Sequence, residues 1–167
     1  MNKNGKAMTY DTILRGRPQA WAVIRGSTLY PELIGTARFY GVPGQGTLVA
    51  IEVYGLPDPG RYCESPVFAC HIHEGGSCTG NTDDPFADTG AHYNPGGCPH
   101  PYHAGDMPPL FGVDGHAYSV FLTNRFTVSE VIGKTVIIHS SPDDFMTQPS
   151  GNSGIKIACG EIVGRIR

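Results

Sequence analysis

Two histidines flank a single isoleucine in the stretch ACHIHEGGSC, residues 69–78. Side chains two positions apart share one face of a β-strand, whereas they do not face each other on an α-helix. The preceding residues, ESPVFAC, are typical of extended chain, so the pattern predicts a strand on which His71 and His73 project together. Cys70 then points the opposite way, into the core, where free cysteines are commonly found. Two adjacent imidazoles can chelate a metal ion, provided that other parts of the chain supply further ligands.

Further ligand-type side chains lie downstream of this strand. His100 and His103 are three residues apart in PHPYHAGD, and Asp106 follows three residues later. Together with His92 they offer three nitrogens and one oxygen, a closed set suited to tetrahedral zinc. His139 ends the apolar run TVIIH, where a buried imidazole requires a partner. It brings the strand pair to three nitrogens, a set suited to copper, and one histidine that uses both ring nitrogens could serve both sites.

Seven β-rich runs are available to position these side chains. They are separated by Gly and Pro and occupy residues 20–26, 34–41, 46–56, 67–74, 116–123, 134–140 and 156–163. Their composition and spacing predict an antiparallel β-sandwich or barrel, and we interpret residues 126–132 as an eighth short strand. Two long segments, 75–115 and 141–155, interrupt the strands. Because ligand-type residues concentrate there, we interpret them as functional loops held by metal, with disorder as the alternative.

Composition and charge exclude several classes of protein. The chain has 167 residues, 40% hydrophobic and 16% charged, which favours one domain with a proper core; we assign residues 1–18 to an N-terminal extension and residues 19–167 to that domain. A formal net charge of -3, without a run of Lys and Arg, gives no footprint for nucleic acid. No apolar run approaches the roughly 20 residues of a membrane span. The start lacks the apolar segment of a secretory signal, which predicts a cytoplasmic protein if this N-terminus is natural, although an exported chain after signal removal would look the same.

Five motifs between residues 67 and 160 carry a resemblance to a known family. In order and spacing, HIHEGGSC, GAHYNP, HAGD, VIIHSSPDDF and SGNSGIKIACG resemble the bacterial-type copper–zinc superoxide dismutases. The resemblance implies an all-β, Greek-key, immunoglobulin-like sandwich or barrel of about eight antiparallel strands with two long functional loops. It also implies dismutation of superoxide to dioxygen and hydrogen peroxide, with copper and zinc as cofactors, and it allows a homodimer.

The resemblance extends to individual positions. It assigns copper to His71, His73, His92 and His139, and zinc to His92, His100, His103 and Asp106. His92 thus bridges the two metals and takes part in catalysis. Asp143 matches a carboxylate that links a copper histidine to a zinc histidine, and such partners fix ring orientation and tautomer. Cys78 and Cys159 match the disulfide of the family.

The chain departs from the family pattern at the position of the active-site arginine, which falls on Lys156. We assign Lys156 as a second catalytic residue, because lysine keeps a positive charge for superoxide while losing the planar fork of donors. The alternative is a solvated lysine at the start of a strand. Residues 141–155 also contain no cation that would speed anion capture, so we expect a slower enzyme.

Several alternatives stay open. Five cysteines leave at least one thiol outside any internal disulfide, and Cys98 either pairs with Cys63, stays free or competes for zinc. A non-catalytic relative that binds copper and zinc would keep the same ligands, and so would a zinc-only structural protein. Cupin-like oxygenases also place His-x-His on a strand, but they require a glutamate a few residues further on, whereas here only the adjacent Glu74 is present.

Overall fold

The computed structural model describes residues 9–58, 60 and 66–165. Its elements, in chain order, are α1 (Tyr10–Leu14), β1 (Ala20–Gly26), β2 (Ile34–Val42), β3 (Gly46–Tyr54), β4 (Val67–Phe68), β5 (Cys70–His73), a 3₁₀ turn (Ala87–Thr89), β6 (Leu110–Phe111), β7 (His116–Thr123), α2 (Val128–Val131), β8 (Thr135–His139), β9 (Lys156–Glu161) and β10 (Val163–Gly164). Among the described residues, no helix is long and apolar enough to cross a membrane.

The strands form one large curled sheet and one small sheet. The large sheet has the strand order β5-β8-β9-β1-β2-β3-β7, with β10 beside β1, and the small sheet pairs β4 with β6. All of these pairings are antiparallel. The first three strands form a meander, after which the chain crosses to β5, returns to β7 and crosses again to β8. Such crossings are typical of Greek-key topology, and the predicted all-β fold is confirmed.

The main core lies between the two halves of the curled sheet. It takes side chains from alternate positions of β1, β2 and β3 on one half and of β5, β8 and β9 on the other. At its centre Phe39 is fully buried, and its ring meets that of Phe126 edge to face at a centroid distance of 6.4 Å. Because side chains of a strand alternate between its faces, each strand that fills this core also presents a second set of side chains away from it.

Strand β5 shows why this alternation matters for the predicted ligands. All four of its residues are buried, because one face packs on the core and the other is covered by loops. Cys70 and Ile72 belong to the core, which leaves His71 and His73 on the covered face, as predicted. Burial raises the pKa of the Cys70 thiol to about 12, so this cysteine stays protonated inside the core.

The prediction of a strand over residues 126–132 was wrong, since Val128–Val131 form helix α2. The carboxylate of Glu130 accepts hydrogen bonds from the backbone N–H and the hydroxyl of Thr127, both at 2.7 Å. A Thr followed three residues later by Glu is a sequence signal for the start of a helix. The predicted run 67–74 is also divided into β4 and β5, and the run 156–163 into β9 and β10.

Helix α1 lies within the predicted N-terminal extension. Ile13 and Leu14 of this helix pack on a second apolar cluster on β2 and β3, which consists of Tyr40, Val42, Leu48 and Ala50. The boundary at residue 18 stays a prediction. Residues 1–8, 166 and 167 lie outside the described residues, as does Cys63 with its predicted pairing; Cys98 is exposed and forms no disulfide with any described residue.

We predict that Phe39→Ala lowers the free energy of unfolding by about 3–5 kcal/mol, because it removes a large buried side chain and leaves a cavity. Chemical denaturation followed by circular dichroism measures this change. Phe111→Ala is the matched control, since Phe111 is 66% exposed and its truncation is expected to change stability by no more than about 0.5 kcal/mol. Equal losses in both variants would contradict the position assigned to the core.

Candidate metal centre

The pairing of β5 with β8 brings the first three histidines together. His71 pairs with Ile137 across the two strands, and His139 ends β8 two residues later. Nδ1 of His73 donates a hydrogen bond to the carbonyl of Gly90 at 2.8 Å, which leaves Nε2 as the free nitrogen. This Nε2 lies 3.4 Å from Nε2 of His139. The two imidazoles therefore turn their unshared electron pairs toward one point.

His92 reaches the same point from the loop 75–115. The backbone of the loop pairs with β5, because the N–H of Tyr93 donates to the carbonyl of Ile72 and the N–H of Ile72 donates to the carbonyl of Gly105, both at 2.8 Å. These bonds place the His92 ring 4.0 Å from the ring of His71, between centroids. One nitrogen from each of four buried residues then lies within 4.8 Å of the others: His71, His73, His92 and His139.

His92 also belongs to a second buried group. Ligand atoms within 4.8 Å of one another come from His92, His100, His103 and Asp106. Nδ1 of His92 lies 2.8 Å from Oδ1 of Asp106 and 3.4 Å from Nδ1 of His103. Nε2 of His92 is buried and has no hydrogen-bond partner. The ring therefore turns Nδ1 to the second group and leaves Nε2 for the first.

Asp143 connects the two groups. Its Oδ2 accepts a hydrogen bond from Nε2 of His71 and its Oδ1 accepts one from Nε2 of His100, each at 2.8 Å. The Nδ1 atoms of both histidines are then left buried without a hydrogen-bond partner. A Cβ at residue 151 would lie 2.0 Å from Oδ1 of Asp143, so glycine at this position leaves room for the carboxylate.

The pKa values of the side chains in this centre favour the protonation states that bind cations. Burial and the neighbouring imidazoles lower the pKa of His73 to about 2 and that of His139 to about 3. For Asp143, burial would raise the pKa, but the hydrogen bonds from His71, from the Phe145 N–H and from His100 outweigh it and lower the pKa. Neutral imidazoles and an ionised carboxylate are the forms that bind and orient metal ions.

The donor chemistry fits two different metals. The first group offers four imidazole nitrogens, typical of copper, and the second offers three nitrogens and a carboxylate oxygen, typical of zinc. Three buried ring nitrogens of the two groups, on His71, His92 and His100, have no hydrogen-bond partner among the described residues, although Nδ1 of His100 lies 3.0 Å from Oδ2 of Asp106. A buried polar atom without a partner costs free energy, and a metal ion in each group would supply one. Copper and zinc therefore fit the residues present.

A disulfide holds the loop over the sheet. Cys78 and Cys159 are bonded, which confirms the pairing implied by the resemblance. The bond ties the beginning of the loop 75–115 to β9, and it forms a small apolar cluster with Phe86 and Ile137. The segment between Cys78 and His92 is thereby held close to the metal ligands on β5 and β8.

Lys156 lies at the start of β9, where it pairs with His139. Its Nζ is 2.7 Å from Oδ2 of Asp84 and donates a second hydrogen bond to the carbonyl of Phe86 at 3.0 Å. The residue is therefore not a solvated lysine. Asp84 is not among the predicted site residues, because nothing in the local pattern of residues 79–91 links it to a lysine 72 positions away.

An all-β fold that buries two ligand groups around one histidine defines a binuclear metalloprotein. The family model for copper/zinc superoxide dismutase (SODC) matches residues 33–162, and the chain belongs to this family. It is 35% identical over 147 residues to the Cu-Zn superoxide dismutase of Deinococcus radiodurans, over 77% of this chain and 76% of that protein. It is 34% identical over 146 residues to the Cu-Zn superoxide dismutase 2 of Aquifex aeolicus, over 78% and 80% of the two chains.

A solved structure adds a relative of a different description. A double mutant of a SOD-like protein from Bacillus subtilis superposes with a TM-score of 0.69 at 31% identity, over 86% of this chain and 97% of that chain. The family membership replaces the cupin-like alternative. Family membership alone does not assign catalysis, because the relatives include both superoxide dismutases and a SOD-like protein.

We predict that Asp143→Asn weakens the binding of both metals by about 10- to 100-fold, the usual effect of losing a partner that orients metal ligands. In the variant, the amide oxygen of the new asparagine can accept a hydrogen bond from one histidine. Its amide NH₂ faces the N–H of the other histidine and cannot accept a hydrogen bond from it. Competition with a chelator of known affinity measures the change for each metal. Asp144→Asn is the matched control, since Asp144 is exposed and, among the described residues, its carboxylate accepts hydrogen bonds only from Met146 and Thr147. Unchanged affinities in Asp143→Asn would contradict the orienting role.

Proposed function

We propose that the protein dismutates superoxide, converting two superoxide anions and two protons to dioxygen and hydrogen peroxide. In this proposal copper is held by His71, His73, His92 and His139, and zinc by His92, His100, His103 and Asp106. The observation that carries the proposal is the position of His92, whose ring belongs to both groups. A metal-binding protein without redox chemistry has no need for this sharing, because two separate ligand sets would hold the metals equally well.

The shared ring also gives the protein a place to hold a proton. Copper, when bound, supplies one-electron exchange with superoxide, and zinc supplies a fixed positive charge. Nδ1 of His92 stays with the zinc-type group, and Nε2 is the atom that holds a proton between the two half-reactions and delivers it toward the peroxide. For Asp106, burial would raise the pKa, but the hydrogen bond to His92 and the surrounding imidazoles lower it. Asp106 therefore stays ionised and fixes the ring.

Access to the centre supports a small substrate at the copper-type group. A cavity of about 1090 Å³ opens over it, and His73, His92 and His139 line this cavity together with Lys156. His71 and His100 are buried behind them. A small anion can reach the copper-type group from this side; of the zinc-type group, His92 and His103 also line the cavity, whereas His100 and Asp106 do not.

A second candidate function is non-catalytic binding of copper and zinc. Two observations favour it: Lys156 is already in an ion pair, and residues 141–155 contain no cation. The relationship to a SOD-like protein points the same way. Superoxide turnover by protein loaded with both metals, measured by stopped-flow spectrophotometry, separates the two functions.

We predict that His139→Ala abolishes superoxide turnover and leaves zinc bound, because His139 contributes to the copper-type group only. Elemental analysis of the purified variant and a turnover assay measure the two effects. His116→Ala is the matched control, since His116 belongs to neither group and stacks on Tyr54, in the β3–β7 pair at the other end of the strand order from β5 and β8. Undiminished turnover in His139→Ala would remove copper from the proposal.

We predict that Lys156→Ala lowers the rate by about 10-fold or more, a typical effect of losing a guiding charge, while both metals remain bound. The truncation leaves the carboxylate of Asp84 in the cavity without its cation, and this carboxylate repels superoxide. Lys156→Arg is expected to keep or raise the rate, since a guanidinium can pair with Asp84 along one edge and present N–H donors along the other. Equal rates in all three proteins would show that Lys156 does not guide the substrate.

A further inference from the structure

The ion pair between Lys156 and Asp84 stands at the side of the proposed substrate cavity. Both residues line the cavity that exposes His73, His92 and His139. The Lys156 side chain is only 15% exposed, whereas that of Asp84 is 39% exposed. Because Lys156 pairs with His139 across β8 and β9, its charge lies directly beside the copper-type group, and Asp84 lies on the open side of that charge.

The carboxylate of Asp84 is held in place by its own loop. Its Oδ1 accepts a hydrogen bond from the N–H of Phe86 at 2.9 Å, which leaves Oδ2 for Lys156. The side-chain oxygen of Asn81 accepts the N–H groups of Asp83 and Asp84 at 2.9 and 3.0 Å. A preformed turn of this kind lowers the entropic cost of keeping the ion pair together.

The loop itself is fixed to the strand that carries Lys156. The disulfide joins Cys78 to Cys159 on β9, three residues from Lys156. The aromatic ring of Phe86 packs on Cys159 and Ile137, and the carbonyl of Phe86 accepts the second hydrogen bond of the lysine. The Asp84–Lys156 pair is therefore fixed in the wall of the cavity, because Lys156 donates hydrogen bonds to both the Asp84 carboxylate and the Phe86 carbonyl.

The cavity holds few charges besides this pair. Of the described residues that line it, Lys156 is the one lysine or arginine, and the carboxylates are those of Glu74, Asp83 and Asp84. The Lys156 ammonium lies 2.7 Å from the Asp84 carboxylate, so an approaching ion meets a dipole and not a free charge. The potential of a dipole falls faster with distance than that of a free charge. An anion at the cavity mouth thus meets more negative charge than positive charge from the lining side chains.

We propose that Asp84 is a positioning residue that compensates the charge of Lys156 and thereby weakens the binding of small anions at the copper-type group. The inference rests on the proposed function for its biological meaning, since superoxide is the anion concerned. It makes a separate physical claim, because compensation by Asp84 acts on any small anion that binds to copper, whether or not turnover follows.

The test is azide binding to protein loaded with copper and zinc, followed by the azide-to-copper absorption band. Asp84→Asn removes the compensating charge and is expected to tighten azide binding by roughly five-fold or more, the effect of one unit charge near 4 Å in a water-like medium. Asp83→Asn is the matched control: it makes the same change in net charge in the same loop and cavity, but Asp83 forms no ion pair with Lys156. Its effect is expected to stay below about two-fold, because exposed charges are screened.

A double-mutant cycle tests whether the effect passes through Lys156. In a Lys156→Met background, Asp84→Asn is expected to tighten azide binding less than it does beside Lys156, because only the direct repulsion by Asp84 is then removed and no ammonium is released from its partner. In the Lys156 background, added salt is expected to weaken azide binding more in Asp84→Asn than in the unmodified protein, because a free charge is more open to screening than a pair. A loosened loop alone would produce neither result.

Two outcomes overturn the inference: equal azide affinities in Asp84→Asn and Asp83→Asn, or an Asp84→Asn effect that is as large in the Lys156→Met background as beside Lys156. If Asp84→Asn fails to take up copper, Asp84→Ser replaces it, since a serine hydroxyl can still accept the N–H of Phe86 without carrying a charge. The readout also separates this inference from the proposed function. Tighter azide binding in a protein without turnover would support the role of Asp84 while contradicting dismutation.

Discussion

The backbone pairing between the loop 75–115 and β5 is the interaction on which the metal centre depends. Strand β5 uses one edge for β8, and the loop completes its other edge through Tyr93 and Gly105. A Cβ at residue 105 would lie 2.2 Å from the carbonyl oxygen of Ile72, so the close approach of the two backbones requires glycine. Because His92 and Asp106 each adjoin one of these paired residues, main-chain hydrogen bonds place them beside the β5 histidines.

The second constraint is the burial of polar groups that have no protein partner. The fold encloses imidazoles in neutral form, since desolvation lowers the pKa of His71, His73 and His139, and it leaves ring nitrogens on His71 and His92 without hydrogen bonds. Such atoms destabilise the metal-free protein, and a bound cation turns the same atoms into a source of stability. Folding and metal binding are therefore coupled.

Most of the strands, and the face of β5 on which the metal ligands lie, were predictable from the sequence, because side chains two positions apart on a strand share a face. His71 and His73 opposite Cys70 is the clearest example. The strand predicted at 126–132 was wrong because the segment FTVSEVI contains Thr127 followed three residues later by Glu130, a helix-start signal that its β-rich composition obscured. The Asp84–Lys156 pair could not be predicted from the residues alone. It depends on a disulfide and a loop path that bring together side chains 72 positions apart, and no local periodicity records such a path.

In a cavity with few cationic side chains, bound metals would supply most of the positive potential that an anionic substrate meets. The two ligand groups and Asp143 contain only two carboxylates, those of Asp106 and Asp143, so two divalent cations would leave the centre positive. Long-range attraction then comes from the metals, and screening limits it to about 10 Å at moderate salt. Lys156 acts inside that range, over the last few ångströms before the anion reaches copper. A carboxylate that compensates Lys156 lowers this local positive potential, so the charge of one side chain is enough to tune anion affinity.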